Sequence, residues 1–258
     1  MEIIKEIYDY REMIFSLVRR DLQGRYKGSI LGFLWTFLNP LLQLCVYTVV
    51  FSVILRNGIE KFYLFLFVAL VPWIFFSTSV SGGASVIRSQ QDLVKKIYFP
   101  RQVLPIAFVT SQFINMLLSL LVVLGVLLIA GTGVSIQALV CLPVVMLVEY
   151  ILAMGMAFLT SALTVYLRDL EYLLGIITMA WQFLTPVMYS IDTAPEKLRP
   201  IFNLNPMTPV IVAYRDILYY KQVPQLGTLL HGIIFGVILL LVGWIVFERL
   251  QRHFAEEL

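Results

Sequence analysis

Residues 102–130 read QVLPIAFVTSQFINMLLSLLVVLGVLLIA, the triplet Gly131-Thr132-Gly133 follows, and residues 134–167 read VSIQALVCLPVVMLVEYILAMGMAFLTSALTVYL. Between Arg101 and Arg168 the only charged residue is Glu149. A bilayer core is about 30 Å thick and takes a helix of about 20 mostly apolar residues. The stretch is too long for one crossing, and two glycines within three residues give the chain the freedom to turn sharply. It reads as two successive membrane helices, about 103–130 and 138–166.

Working outward, further runs free of Asp, Glu, Lys and Arg occupy 28–55, 62–87, 172–191 and 222–247. They add helices at about 30–55, 62–83, 172–190 and 227–248, six spans in all. Composition agrees: the 258 residues are 60% apolar and 14% charged, whereas soluble domains carry about 25% charged residues. A water-soluble globule, a disordered chain and a disulfide scaffold are excluded. Cys45 and Cys141 sit in apolar runs and read as buried thiols, and His231 and His253 stand too far apart to suggest a metal site. The first 29 residues are charged and lead into an apolar run too long for a signal peptide, so none is expected.

Six crossings put both termini on one side. If that side is cytoplasmic, segments 1–29, 84–102, 167–171 and 249–258 hold thirteen Lys and Arg residues against six outside. The positive-inside rule therefore places both termini in the cytoplasm. The expected organisation is one domain: a cytoplasmic amphipathic interface segment at 1–29, a six-helix membrane unit at 30–250, a short cytoplasmic helix at 88–99 and an outer re-entrant segment at 192–226.

Residues 2–22 carry Ile3, Ile7, Tyr10, Ile14, Leu17 and Val18 at helical spacing, the pattern of a helix lying in the membrane interface. In 88–99, Leu93, Val94 and Ile97 share one face while Lys95 and Lys96 lie elsewhere, with Pro100 as the stop. That pattern suits docking of a partner protein and equally a helix resting on lipid headgroups. Pro72, Pro105, Pro143 and Pro186 are expected to kink their helices. Segment 192–226 has turn punctuation at Asn205-Pro206 and Thr208-Pro209 and an apolar run to Tyr220, suggesting short helices that dip into the outer leaflet.

The chain has no G-x-x-x-x-G-K-[ST] loop, H-E-x-x-H, G-x-S-x-G or paired carboxylates in a catalytic setting. Glu149, lacking a basic partner at helical spacing, reads as a hydrogen-bonding residue rather than a proton relay. The pattern is that of a transport channel without its own engine.

Three motifs carry a family resemblance. Arg19-Arg20-Asp21-Leu22-Gln23-Gly24-Arg25-Tyr26-Lys27-Gly28-Ser29 leads into Leu31-Gly32-Phe33-Leu34-Trp35 and Asn39-Pro40-Leu41. Tyr166-Leu167-Arg168-Asp169-Leu170 is followed by Thr185-Pro186-Val187-Met188-Tyr189. Leu204-Asn205-Pro206-Met207-Thr208-Pro209 precedes Ala213-Tyr214-Arg215. In this order they resemble membrane subunits of ABC-2 type polysaccharide exporters over essentially the whole chain.

The resemblance implies an all-α polytopic permease in the bacterial inner membrane. It would form a homodimer with two separate ATP-binding subunits. ATP and Mg belong to those partners, with no cofactor in this chain and no nucleic acid involved. The cargo would be an undecaprenyl-linked glycan such as O-antigen or teichoic acid.

Aromatic rings and amides suit a sugar path. At about 100° per residue, Phe33, Phe37, Tyr47 and Phe51 share one arc of the first span, beside a polar strip with Asn39 and Gln43. On the fifth, Thr178, Trp181, Gln182, Thr185 and Tyr189 share another. These stripes are expected to line the glycan path; the same residues would also serve packing and hydrogen bonds between helices. Arg19, Arg20, Arg25 and Lys27 suit an arriving lipid diphosphate, and equally topology and anionic lipid. Coupling to the ATPase is expected at Asp92, Leu93, Lys95, Lys96 and Ile97, and at the turn of Arg168 and Asp169. Alternative readings are an ABC-2 exporter of small hydrophobic molecules, a membrane-embedded lipid enzyme and an ion-coupled carrier. The last two would want residues that are absent here.

Overall fold

The computed structural model describes residues 2–26, 28, 31–54, 58–191 and 195–258, with the side chains of 2–4, 25, 26, 33, 53, 198 and 255 outside the description. Among the described residues there is no strand. An N-terminal pair, α1 (Glu2–Asp9) and α2 (Arg11–Tyr26), precedes α3 (Trp35–Thr48), which continues as a π-helical stretch over Val49–Ile54. Then come α4 (Phe62–Ser89), the short α5 (Gln91–Lys96) and α6 (Val103–Ile129). The short α7 (Ile136–Leu139) leads into α8 (Leu142–Tyr166), followed by α9 (Leu170–Leu184). Two short helices, α10 (Arg199–Leu204) and α11 (Met207–Leu218), precede α12 (Leu226–Leu250) and the terminal α13 (Phe254–Glu257).

Among the described residues, five stretches are long and apolar enough to cross a bilayer: Trp35–Ser52, Phe62–Ser89, Val103–Ile129, Ile136–Tyr166 and Leu226–His253. The expected helix at 172–190 is shorter. α9 has 15 residues, about 22 Å at 1.5 Å per residue. It stops because the residue before a proline is pushed out of helical geometry: Thr185, preceding Pro186, is extended at φ −105°, ψ 135°.

Of the other prolines expected to kink, only Pro72 lies inside a helix. Pro105 and Pro143 fall in the first turns of α6 and α8, where the missing donor would have had no helical partner. Pro40 is a second interior proline, in α3. The break after α6 is as expected, with Gly131 and Gly133 at φ 65° and 69°.

α4 is the axis of the bundle. Leu64 to Phe67, Ala69, Phe76, Val80, Ala84 and Ile87 are essentially inaccessible, with α3, α6, α8 and α9 packed around α4. α8 and α12 form the most extensive helix pair, and glycine explains the intimacy. A Cβ placed on Gly243 would come 2.1 Å from the carbonyl oxygen of Gly155. Gly232 and Gly236 pack on Val148, Ile151 and Leu152 of α8 at ordinary to tight distances. α2 lies along α6, burying Val18 and setting Tyr10, Met13, Ile14 and Leu17 against the core.

Both termini gather at one end. Tyr10 OH donates to Tyr98 O at 3.4 Å, Tyr166 OH to Leu250 O at 2.8 Å, and Arg101 donates to the Gln251 carbonyl. At the far end, Tyr219 OH donates to Glu60 O at 2.5 Å.

Candidate functional site

The candidate residues gather at three places: a clamp after α9, the faces of α3 and α9, and the opposite end where both termini meet. The clamp and that end are outer and inner in the orientation expected from the charge distribution.

The outer clamp turns on Asn205, which is nearly buried. Its Oδ1 accepts from Trp181 Nε1 at 2.9 Å and from the Met207 amide at 3.0 Å. Its Nδ2 donates to Leu184 O at 3.0 Å and Thr185 Oγ1 at 2.8 Å. One amide thus uses both acceptor positions and both donors, joining the end of α9 to the start of α11. Arg215, 4% exposed, adds a second tie. Its Nη2 donates to Val187 O at 2.7 Å and Nη1 to Tyr189 O at 3.0 Å, with the guanidinium 3.6 Å from the centre of the Phe65 ring. Below, Tyr214 OH donates to Glu149 Oε2 at 2.7 Å, linking α11 to α8. Glu149 thus makes a hydrogen bond between helices through Oε2.

The clamp changes the reading of the α9 stripe. Thr178 and Thr185 are buried and Trp181 is half-buried; their hydroxyls return to Leu174 O and Trp181 O. The Trp181 ring meets Phe76 edge-on at 5.2 Å. Trp181 thus faces α4 and Thr185 faces Asn205, so both are engaged within the chain, and Thr178 is buried beside them. Gln182 and Tyr189 remain partly accessible; Tyr189 OH donates to Phe183 O at 2.7 Å and its ring lies 6.0 Å from Phe202. The open side of α9 carries Tyr172, Leu173, Ile176, Ile177, Met179 and Phe183.

On α3, Asn39 and Gln43 are exposed, Phe37 is half-buried, and Tyr47 and Phe51 rest against the core, Phe51 5.9 Å from the Phe62 ring. The Phe33 side chain lies outside the described residues. Leu42, Val46 and Val49 form an exposed apolar edge.

At the inner end, Arg19 and Arg20 are exposed, and Arg20 lines a cleft between α2, α4 and α6 with Asp21, Ser85 and Gln90. Lys27 and the Arg25 side chain lie outside the described residues. The expected helix at 88–99 is shorter: Arg88 and Ser89 complete α4, α5 covers six residues, and Ile97 is already extended. Val94 is buried and Leu93 half-buried, while Ile97 is exposed and belongs to the outward side. Asp92 and Lys96 pair at 3.6 Å across one exposed turn, with Lys95 exposed beside them.

Arg168 and Asp169 stand exposed in the turn before α9. Arg88 Nη1 donates to Glu171 Oε2 at 2.8 Å, so the base of α4, next to α5, is fastened to the first turn of α9. Tyr98, 86% exposed, is a surface aromatic that the sequence reading passed over; its signal was a tyrosine between a short amphipathic helix and Pro100.

A family described as ABC-2 type transporter matches residues 12–219. The O-antigen export system permease protein RfbA of Myxococcus xanthus is 39% identical over 260 residues, covering 100% of both chains. A protein of the same name from Klebsiella pneumoniae is 30% identical over 245 residues, 95% of this chain and 94% of its own length. The polysialic acid transport protein KpsM of Escherichia coli is 21% identical over 243 residues, 92% and 93% of the two chains.

Proposed function

The chain belongs to the ABC-2 type transporter family, and from that membership we propose that it is the membrane permease of an ATP-driven exporter of a lipid-linked cell-surface polysaccharide. The observation that carries this reading is end-to-end similarity to a permease of O-antigen export at 39% identity. As a multi-pass transport subunit it works with ATP-binding subunits, and the absence of a P-loop sequence from this chain is consistent with that division.

The finer reading places the protein in the bacterial inner membrane with both termini in the cytoplasm. Six crossings of the chain would include α9 as a short fifth. Supporting this, the terminal helices, α5 and the turn at Arg168 gather at one end, and α9 runs from Glu171 at that end to Leu184 beside the outer clamp. Segment 192–226 then forms the re-entrant outer element, with α10 and α11 narrowing the exit.

A second copy of the chain would cover the open sides of α3 and α9. The glycan would pass between the copies, along Phe37, Asn39, Gln43, Tyr47 and Phe51 with Gln182 and Tyr189. Two ATP-binding partners carrying ATP and Mg would dock on α5, Tyr98 and the turn of Arg168 and Asp169. Arg88 and Glu171 would pass their closure to α9. Arg19 and Arg20 would meet the diphosphate of an undecaprenyl-type carrier, since arginine pairs with phosphate oxygens in two-pronged geometry.

The test is deletion of the gene in its host. Loss of surface polysaccharide, with lipid-linked glycan accumulating in the cell and export restored by the intact gene, is expected. Unchanged surface glycan would overturn the proposal.

A further inference from the structure

Near the middle of the bundle, α3, α4 and α6 surround a cavity of about 410 Å³, within the roughly 300–1,000 Å³ of small-molecule sites. Thr36 and Asn39 of α3, Thr78 of α4, and Gln112, Asn115 and Ser119 of α6 line it. Thr78 lies near the midpoint of α4, and the α6 residues straddle the midpoint of that helix, so the cavity sits deep in the apolar belt. Polar groups at such depth are costly unless they face protein, water or a ligand. Here six from three helices converge on one space, most of them with contacts inside the chain. The Thr78 hydroxyl donates to Ile74 O at 2.7 Å and the Ser119 hydroxyl to Asn115 O at 3.0 Å, and a hydroxyl that donates once still keeps acceptor capacity.

The lining chemistry selects the ligand. No lining residue is charged, so an isolated phosphate, which calls for arginine or lysine, is a poor fit. Amides and hydroxyls both donate and accept, matching the hydroxyls of a sugar ring. Trp35 and Phe75 complete the wall with flat aromatic area for the ring's apolar face. Gln112 and Ser119 are each 6% exposed and form the floor, while Asn39 is exposed and Trp35 is 38% accessible at the rim.

Toward the inner end the same α4 and α6 faces continue into the cleft that holds Arg20 and Asp21. Phe108 lies over Gly82 between the two spaces, so close that a Cβ on Gly82 would come 2.5 Å from its ring. The charged cleft thus precedes the neutral cavity along the helix axes.

We propose that the cavity between α3, α4 and α6 binds an uncharged sugar ring of a lipid-linked glycan, as a site within each protomer that meets the path between copies at Asn39. The inference rests on the proposed function. Trp35 is the natural reporter. The full chain with its ATP-binding partner, in lipid nanodiscs, is titrated with decyl maltoside and with decyl phosphocholine, which has the same tail and a charged headgroup. The maltoside is expected to give a saturable fluorescence change that is absent in Trp35→Phe. Its binding is expected to weaken about tenfold in Gln112→Leu or Asn115→Leu, and less in the near-isosteric Thr78→Val, which guards against a folding defect.

Equal response to both probes, or maltoside binding unaffected by every cavity variant, would overturn the proposal. Glycan export by the unmodified protein, measured in parallel, separates the two readings. Export without maltoside binding removes the cavity site alone, whereas maltoside binding without export removes the proposed function and leaves the cavity a sugar site.

Discussion

Asn205 shows how a single side chain organises the outer end. Its amide oxygen and nitrogen each make two contacts, to Trp181, Met207, Leu184 and Thr185. Truncation would leave an indole N–H and a backbone carbonyl unpaired where water is scarce, at about 1–3 kcal/mol for each buried group left unmade. Asn205→Ala is therefore expected to destabilise the protein by about 2 kcal/mol or more, lowering the midpoint of thermal unfolding in detergent by about 4–8 °C. Asn205→Asp, which sets a buried carboxylate oxygen against Leu184 O in place of a donor, should cost at least as much; an unchanged midpoint in both variants would show that the clamp is not stabilising. The sequence displays Asn205-Pro206 as turn punctuation and Trp181 as part of a stripe. Helical periodicity assigns residues to a face but does not say which neighbour that face meets, so the joining of these two residues was not legible.

Among the helices, the legible part is what hydropathy controls. The breaks at Gly131 to Gly133, the long α4, α6, α8 and α12, and the short helix near 91–96 follow from charge spacing and apolar run length. Less legible was anything set by a neighbouring backbone. Gly155 and Gly243 make the closest approach of α8 and α12, while Gly232 and Gly236, four residues apart, make a looser contact on the same pair. The early end of α9 was, by contrast, written in Thr185-Pro186 and hidden only by the continuing apolar run. Gly243→Leu must push two backbones apart, since no side-chain rotation relieves a clash with a carbonyl. It is expected to cost more than the about 1–3 kcal/mol of ordinary overpacking and to reduce the folded yield sharply. Gly125→Ala, with nothing within 4 Å of an added Cβ, should leave yield and unfolding midpoint nearly unchanged. Equal behaviour of the two variants, measured by detergent-phase size exclusion, would contradict the packing account.

At the scale of the whole molecule, a chain with an inaccessible central helix and exposed apolar sides on α3, α9 and α12 is built to meet lipid and other subunits. The residues proposed for docking collect at the end where α5, the turn before α9 and both termini meet. A partner pushing there would move α4 and α9 together through the Arg88–Glu171 pair, while the Asn205 and Arg215 ties carry α9's motion to the outer helices. We propose that these contacts together link the proposed ATPase contact to the proposed exit. The measurement that tests the central claim most directly is glycan translocation in proteoliposomes containing this chain and its ATP-binding partner, with radiolabelled lipid-linked polysaccharide in the outer leaflet. The account predicts that added ATP moves the glycan into the lumen, where it resists external glycosidase, and that a hydrolysis-dead partner abolishes this. ATP hydrolysis at a normal rate with the glycan remaining fully digestible would contradict it.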